Sequence, residues 1–169
     1  MGLDISYYQN LKFDSPDSDD NDDKYDTGLI HLYKVKGGAD RSDGLQTGWY
    51  KGELGGSFRA GSYSGYSEWR NHLSLCMLKL EARRIWESEP EAGSSDRPFV
   101  ELINFSDCEG FIGPKTSAKL AADFAANAEK AQKYSQDLGA NDQDWFYTKY
   151  KDWMAAFQCA SSNGIVQFC

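Results

Sequence analysis

The chain has 169 residues, a formal net charge of −8 and 14% aromatic residues, among them five Trp, ten Tyr and nine Phe. That length suits a single domain over 1–169, able to hide roughly 70% of its unfolded surface without staples. An acidic chain without a basic cluster is not built for direct nucleic-acid binding, which draws on Lys and Arg against phosphate.

No apolar run approaches the about 20 residues of a membrane span, so no membrane partner is expected. The opening residues lack a charged-then-apolar leader, and the expected location is the cytoplasm. The four cysteines, Cys76, Cys108, Cys159 and Cys169, form no C-x-x-C pair and have no paired His nearby. A structural zinc site is therefore not expected, nor any other metal or cofactor. The thiols read as small, buried and reduced.

In chain order, Leu3 and Ile5 alternate with Asp4 and Ser6, which predicts a strand over 2–8. Asp4, a carboxylate on an otherwise apolar strand, needs a partner or water. An acidic loop follows at 14–26, where seven Asp stand against Lys24, a local net of −6 that leaves only −2 for the rest. Its spacing from Asp17 resembles a calcium loop. The sixth place is Asp22 instead of Gly, however, and the twelfth is Gly28 instead of Glu, so the pattern fails. The loop is expected to be exposed and mobile, because adjacent carboxylates repel.

A second strand is predicted over 28–35, with Ile30 and Leu32 on one face and His31 and Tyr33 on the other. Turn residues dominate 37–56, with Gly48 to Gly52 as a short strand. Trp69, Leu73, Cys76, Met77 and Leu80 fall on one face of a helix over 65–86, capped by Ser64 or Ser67. Phe99 to Phe105 reads as a short strand. Gly113-Pro114 opens the clearest helix, 114–137, with Leu120, Phe124, Ala128, Ala131 and Tyr134 inward. A last helix over 143–163, carrying Trp153 and Phe157, stops at Asn163-Gly164, and residues 165–168 return as a strand. The class is α+β: a small, mostly antiparallel sheet covered by about three helices.

Two segments look costly for a purely structural protein. In Phe58 to Arg70, small residues alternate with aromatic ones and lead into a helix N-terminus, where unpaired N–H groups welcome an anion. Here Gly61, Ser62 and Ser64 offer backbone and hydroxyl donors, Arg59 and Arg70 suit phosphate or carboxylate, and Tyr63 and Tyr66 suit a planar ring. In Glu101 to Pro114, Asn104, Asp107 and Glu109 can accept hydrogen bonds from amino and hydroxyl groups. Two such carboxylates also suit a hard metal ion or a division of acid and base roles. Both segments are Gly-containing loops that lead into helices, and they are expected to meet in one pocket. The bland reading of the same residues is a pair of capped turns with Trp69 in the core. Cys108 has no His near it in sequence, and His72 reads as a surface residue.

The Met1-Gly2-Leu3-Asp4-Ile5 opening, the Phe58-to-Arg70 and Glu101-to-Pro114 runs, Trp153-x-x-Ala156-Phe157 and Gly164-x-Val166-x-Phe168 carry a resemblance. The chain is similar to short uncharacterised proteins of tailed phages, prophages and bacterial genomes. The stretch from Lys12 to Gly56 matches that pattern poorly. The resemblance implies a phage-linked setting and, with it, action against host defence.

Three functional classes follow. The first is a binding protein that sequesters a small phosphorylated or nucleotide-like defence signal, with no catalytic constellation. The second is a hydrolase, metal-assisted or acid/base, using Asp107 and Glu109. The third is an acidic decoy that mimics DNA or blocks a host protein through residues 14–26. A homo-oligomer or a host-protein partner is open in each. The first class accounts for more of the unusual residues, and enzyme activity is the weaker expectation.

Overall fold

The protein is described here by a computed structural model covering residues 2–17, 28–34, 39–88, 95–106 and 108–169, with backbone alone for 140–144. The alternation at the start of the chain does make a strand, β1, which runs Gly2–Ser15 with Leu3 and Ile5 fully buried. It continues far beyond residue 8, past an irregularity between Gln9 and Lys12 where Asn10 has a φ of 55°. One irregular residue swaps the faces of everything after it. Leu11 accordingly packs in a different apolar cluster from Leu3 and Ile5.

The remaining strands are β2 (Ile30–Leu32), β3 (Gly48–Ser62), β4 (Gly110–Ile112) and β5 (Ile165–Phe168). Their order is β2-β3-β1-β5-β4, and every neighbouring pair is antiparallel. The sheet curls into a half-barrel. Its outer face carries Leu3, Ile5, Ala60, Ile112, Val166 and Phe168 against the helices. Within the curl, Leu11, Ile30, Leu32, Tyr50, Phe111 and Ile165 form a second, smaller core. Edge strands β2 and β4 both contribute to it, and Gln167 Nε2 donates to the His31 carbonyl at 3.2 Å across the opening.

The helices are α1 (Tyr63–Leu78), α2 (Ala82–Ser88), the one-turn α3 (Val100–Ile103), α4 (Pro114–Asp137) and α5 (Ala140–Ala160). The large core has an aromatic centre: Trp153 stacks on Tyr66 at 5.5 Å and on Trp69 at 5.8 Å between centroids. Two of the buried ring polar groups find backbone partners, Trp69 Nε1 on the Phe146 carbonyl at 3.2 Å and Tyr150 OH on that of Phe124 at 2.7 Å. That satisfies what burial would otherwise penalise.

The α+β class holds, and Leu3, Ile5, Leu73, Leu120, Phe124, Trp153 and Phe157 are all buried as their periodicity predicts. Several details differ. The expected helix over 65–86 breaks at Lys79, which is left-handed at φ 60°, so Leu80 is 41% exposed instead of inward. The expected strand over 99–105 is a helical turn, entered through Phe99 at φ 64°. The segment 48–62 is one long strand and not a turn-rich loop with a short strand in it. The last helix starts earlier than 143 and ends at Ala160, with Asn163 left-handed at φ 52° as the stop signal implies. Of the cysteines, Cys76 is buried and Cys159 partly so, but Cys108 and Cys169 are exposed, against the expectation for all four. Residues 18–26 of the acidic loop lie outside the described residues. Of its start, Asp14 pairs with Lys51 at 3.1 Å and Asp17 with His31 at 2.7 Å.

Candidate functional site

The first segment divides between two structures. Arg59 lies on β3 and pairs with Asp4, its register partner on β1, at 3.3 Å, both side chains well exposed. Gly61 has a φ of 134° at the strand's end. Ser62, not Ser64 or Ser67, caps α1: its Oγ accepts from Gly65 N at 3.0 Å, while Ser64 Oγ bonds Ser62 Oγ at 3.1 Å. Tyr63 is 36% exposed at the start of α1, whereas Tyr66 is fully buried. Its ring is held among Trp69, Trp153 and Phe168, so it presents no face to solvent.

Arg70 is where the two segments meet. It is 3% exposed, and its guanidinium donates to the carbonyls of Phe105 at 2.6 Å and Ile103 at 3.4 Å. It also lies 4.5 Å from the Tyr66 ring centroid and 5.2 Å from that of Trp86. A guanidinium so engaged ties α1 to the end of α3. Asn104 closes that turn with its N–H on the Val100 carbonyl at 2.8 Å. Asp107 lies outside the described residues. Glu109 follows a turn set by Ser106, whose Oγ accepts from Glu109 N at 3.2 Å, and its carboxylate accepts from Tyr33 OH at 3.4 Å.

Glu109 opens onto a cleft of about 140 Å³. One side is residues 33–34 and 39–42, the other Phe105, Ser106 and 109–111. The loop over 40–45 is held against the start of α4 by a set of short hydrogen bonds. Gly113 N donates to the Arg41 carbonyl at 2.8 Å, and Asp43 accepts from Thr116 N at 2.7 Å and Thr116 Oγ1 at 2.8 Å. The Asp43 carboxylate thus sits at the positive end of α4, where first-turn donors lack helical partners. The approach is close enough that a Cβ on Gly113 would come within 2.6 Å of the Ser42 carbonyl oxygen.

The charges around the cleft are of both signs. Asp40 pairs with Lys34 at 3.1 Å and accepts from Ser42 N at 2.9 Å. The Ser42 hydrogen bonds, helped by Lys34, hold its carboxyl down at a pKa of about 2. Arg41 is 3% exposed; burial lowers its pKa, and Glu101, Asp43 and Asp40 act against that. Burial raises the Tyr33 phenol, with Glu109 adding to the effect. Behind the cleft, the buried Glu101 carboxylate is matched by Lys119 at 2.6 Å and by Ser95 N at 2.7 Å, and Lys119 also meets Asp123 at 2.8 Å. A charge taken out of water is tolerable only with partners of this kind.

Of the sequence-expected residues, the structure brings Glu109 to this cleft and Arg70 to its back wall at Phe105. Arg59, Gly61, Ser62, Tyr63 and Ser64 belong to the β3–α1 junction and do not line it. The lining residues outside both expected segments, which sequence reasoning missed, are Tyr33, Lys34, Ala39, Asp40, Arg41 and Ser42. One signal was present: Asp40 and Asp43 flank a lone Arg in an otherwise small-residue loop, a pattern of side chains that bond nearby backbone. His72, expected at the surface, is half-buried and hydrogen-bonds Tyr134 OH at 2.9 Å. Among the described residues, no three His, Cys, Asp or Glu side chains are placed to hold a metal ion. No helix among them is long and apolar enough to cross a membrane. No protein-family model, no curated protein and no solved structure matches this chain.

Proposed function

We propose that this chain is a small-molecule-binding protein that sequesters a nucleotide-like ligand by seating its ring in the cleft between residues 33–34 and 39–42 on one side and 105–106 and 109–111 on the other. The observation that carries the reading is the composition of that cleft: aromatic walls from Tyr33, Phe105 and Phe111, with charged side chains of both signs at its rim. A few polar groups in an otherwise apolar concavity are what orient a small ligand. At about 140 Å³ the space is close to the ~150 Å³ that encloses one benzene ring in an apolar cavity. One ring is enclosed, and the rest of a nucleotide lies in the open mouth.

The resemblance to phage and prophage proteins makes a defence signal of the host the first candidate ligand, bound and withheld in the cytoplasm. The test is to incubate the purified protein with a nucleotide panel, release bound material by heat and weigh it by mass spectrometry. A ligand recovered unchanged, and lost when Ala39→Trp fills the cleft, supports the reading. A ligand of altered mass overturns it in favour of a hydrolase that uses Asp107 and Glu109. Recovery that is indifferent to Ala39→Trp places binding elsewhere.

A further inference from the structure

Glu109 leaves hydrogen-bond acceptor capacity open at the cleft, and that narrows the ligand. Lys34 is engaged by Asp40 at 3.1 Å. Asp40 is itself engaged by Lys34 and by Ser42 N. Arg41 is buried in the wall among the carboxylates of Glu101, Asp43 and Asp40. Glu109 differs from all three. Among the described residues its carboxylate takes one hydrogen bond, from Tyr33 OH at a long 3.4 Å. An ionised carboxylate has about four lone-pair sites and takes charge-assisted bonds at ~2.7–2.9 Å. It is therefore well short of saturation, and it stands beside the rings of Tyr33, Phe105 and Phe111. An anion placed there would meet repulsion. A flat ring that brings two N–H donors in its own plane would be held on its face by the aromatic walls and on its edge by both carboxylate oxygens.

We infer that Glu109 reads the donor edge of a guanine-type base lying between Tyr33, Phe105 and Phe111. Guanine alone among the common bases presents a ring N–H and an amino N–H side by side, the complement of a bidentate carboxylate. Adenine and cytosine place a ring acceptor beside the amino group. Uracil flanks its N–H with two carbonyls, which a carboxylate repels. The sugar is attached on the far side of the base from that edge and leaves through the open mouth. This inference rests on the cleft being the ligand site.

Calorimetry with the 5′-monophosphates of guanosine, inosine, adenosine and xanthosine tests it. Inosine keeps the ring N–H and lacks the amino group. Guanosine monophosphate is expected to bind about ten-fold or more tightly than the inosine or adenosine compound, the usual worth of a bidentate base contact. Glu109→Gln turns one acceptor oxygen into a donor, so it is expected to erase that preference and to favour xanthosine, which carries a carbonyl in place of the amino group. A gained preference cannot come from a misfolded variant. Equal binding of all four nucleotides, abolished by Ala39→Trp, overturns the guanine assignment and leaves the cleft reading standing. Guanosine binding that survives Ala39→Trp, or binding of none, overturns both.

Discussion

Gly113→Ala isolates the contact that fixes the cleft wall. The backbone there is extended, with φ −77° and ψ 179°, so alanine meets no torsional penalty. Its Cβ would instead lie 2.6 Å from the Ser42 carbonyl oxygen and 2.8 Å from Asp43 Oδ2, where ordinary contact begins at 3.4 Å. The loop must therefore retreat by roughly 0.8 Å, the difference between those distances. That retreat stretches the 2.8 Å bond from Gly113 N to the Arg41 carbonyl beyond useful length and loosens the Asp43 cap on α4. Overpacking costs about 1–3 kcal/mol and a weakened cap about 1 kcal/mol, while loss of glycine's unfolded-state freedom returns up to about 1 kcal/mol. A net loss of about 2 kcal/mol lowers the melting temperature of a chain this size by about 4–8 °C. Urea titration followed by Trp fluorescence, with a thermal melt beside it, measures both. Asp43→Ala alone is expected to cost about 1 kcal/mol, and the double variant less than the two single losses together, because both act on one contact. A Gly113→Ala protein within 0.5 kcal/mol of its parent would refute the argument.

Arg70→Ala is expected to lose roughly 3 kcal/mol, since it removes charge-assisted bonds to two carbonyls and stacking on two rings, whereas Arg59→Ala should lose under about 1 kcal/mol as an exposed pair; thermal melts yielding the reverse order would show the two roles to be misassigned. The Asp40 carboxyl has a folded pKa of about 2 against an ordinary 3.8, so its contribution is present above pH 3.8 and lost as pH falls toward 2. With the side chain 55% exposed, that contribution is small, so Asp40→Asn should lower stability slightly at pH 7, flatten the profile between pH 4 and 2, and match the parent at pH 2. A thiol reagent should label Cys108 and Cys169 in the folded protein, and Cys76, buried and with its pKa raised by that burial, only on unfolding; rapid labelling at Cys76 would contradict its placement.

The parts of the fold legible in the sequence are those where a single periodicity runs undisturbed. The stripe through Leu120, Phe124 and Ala131 and the Pro114 start announce α4, and Asn163 announces the end of α5. What stayed hidden depends on residues whose conformation is set from outside the segment. Asn10 breaks the alternation of β1 halfway. β3 is studded with Gly52, Gly55, Gly56 and Gly61, which read as turns. A Cβ at Gly52 would press on Leu11 and Ile30 at 2.8–2.9 Å, and one at Gly55 on Tyr7. Those glycines mark close packing against a sheet that no local window reveals. Within the site, the Ser106-to-Gly110 turn was visible as a carboxylate-bearing loop. Its facing wall was not, because Tyr33 and Arg41 reach it only once the sheet has curled far enough to bring β2 toward β4.

The insertion of β5 between β1 and β4 has a consequence for how the chain is made. Asp4 and Cys169 exchange backbone hydrogen bonds of 3.0 and 2.9 Å, so the first strand and the last residues are direct neighbours in mid-sheet. During synthesis the ribbon of β1 and β3 can zip early, but its other border stays bare until Phe168 has cleared the ribosome, and a long-range closure of this kind is slow. Until residues 165–168 emerge, the nascent chain would carry an open strand border that a chaperone or a second copy can occupy. The same proximity suits circular permutation: a short linker from residue 169 to residue 2, with new ends at Gly139, where nothing crowds the backbone between α4 and α5, should preserve the sheet and move the vulnerable border out of the waiting period.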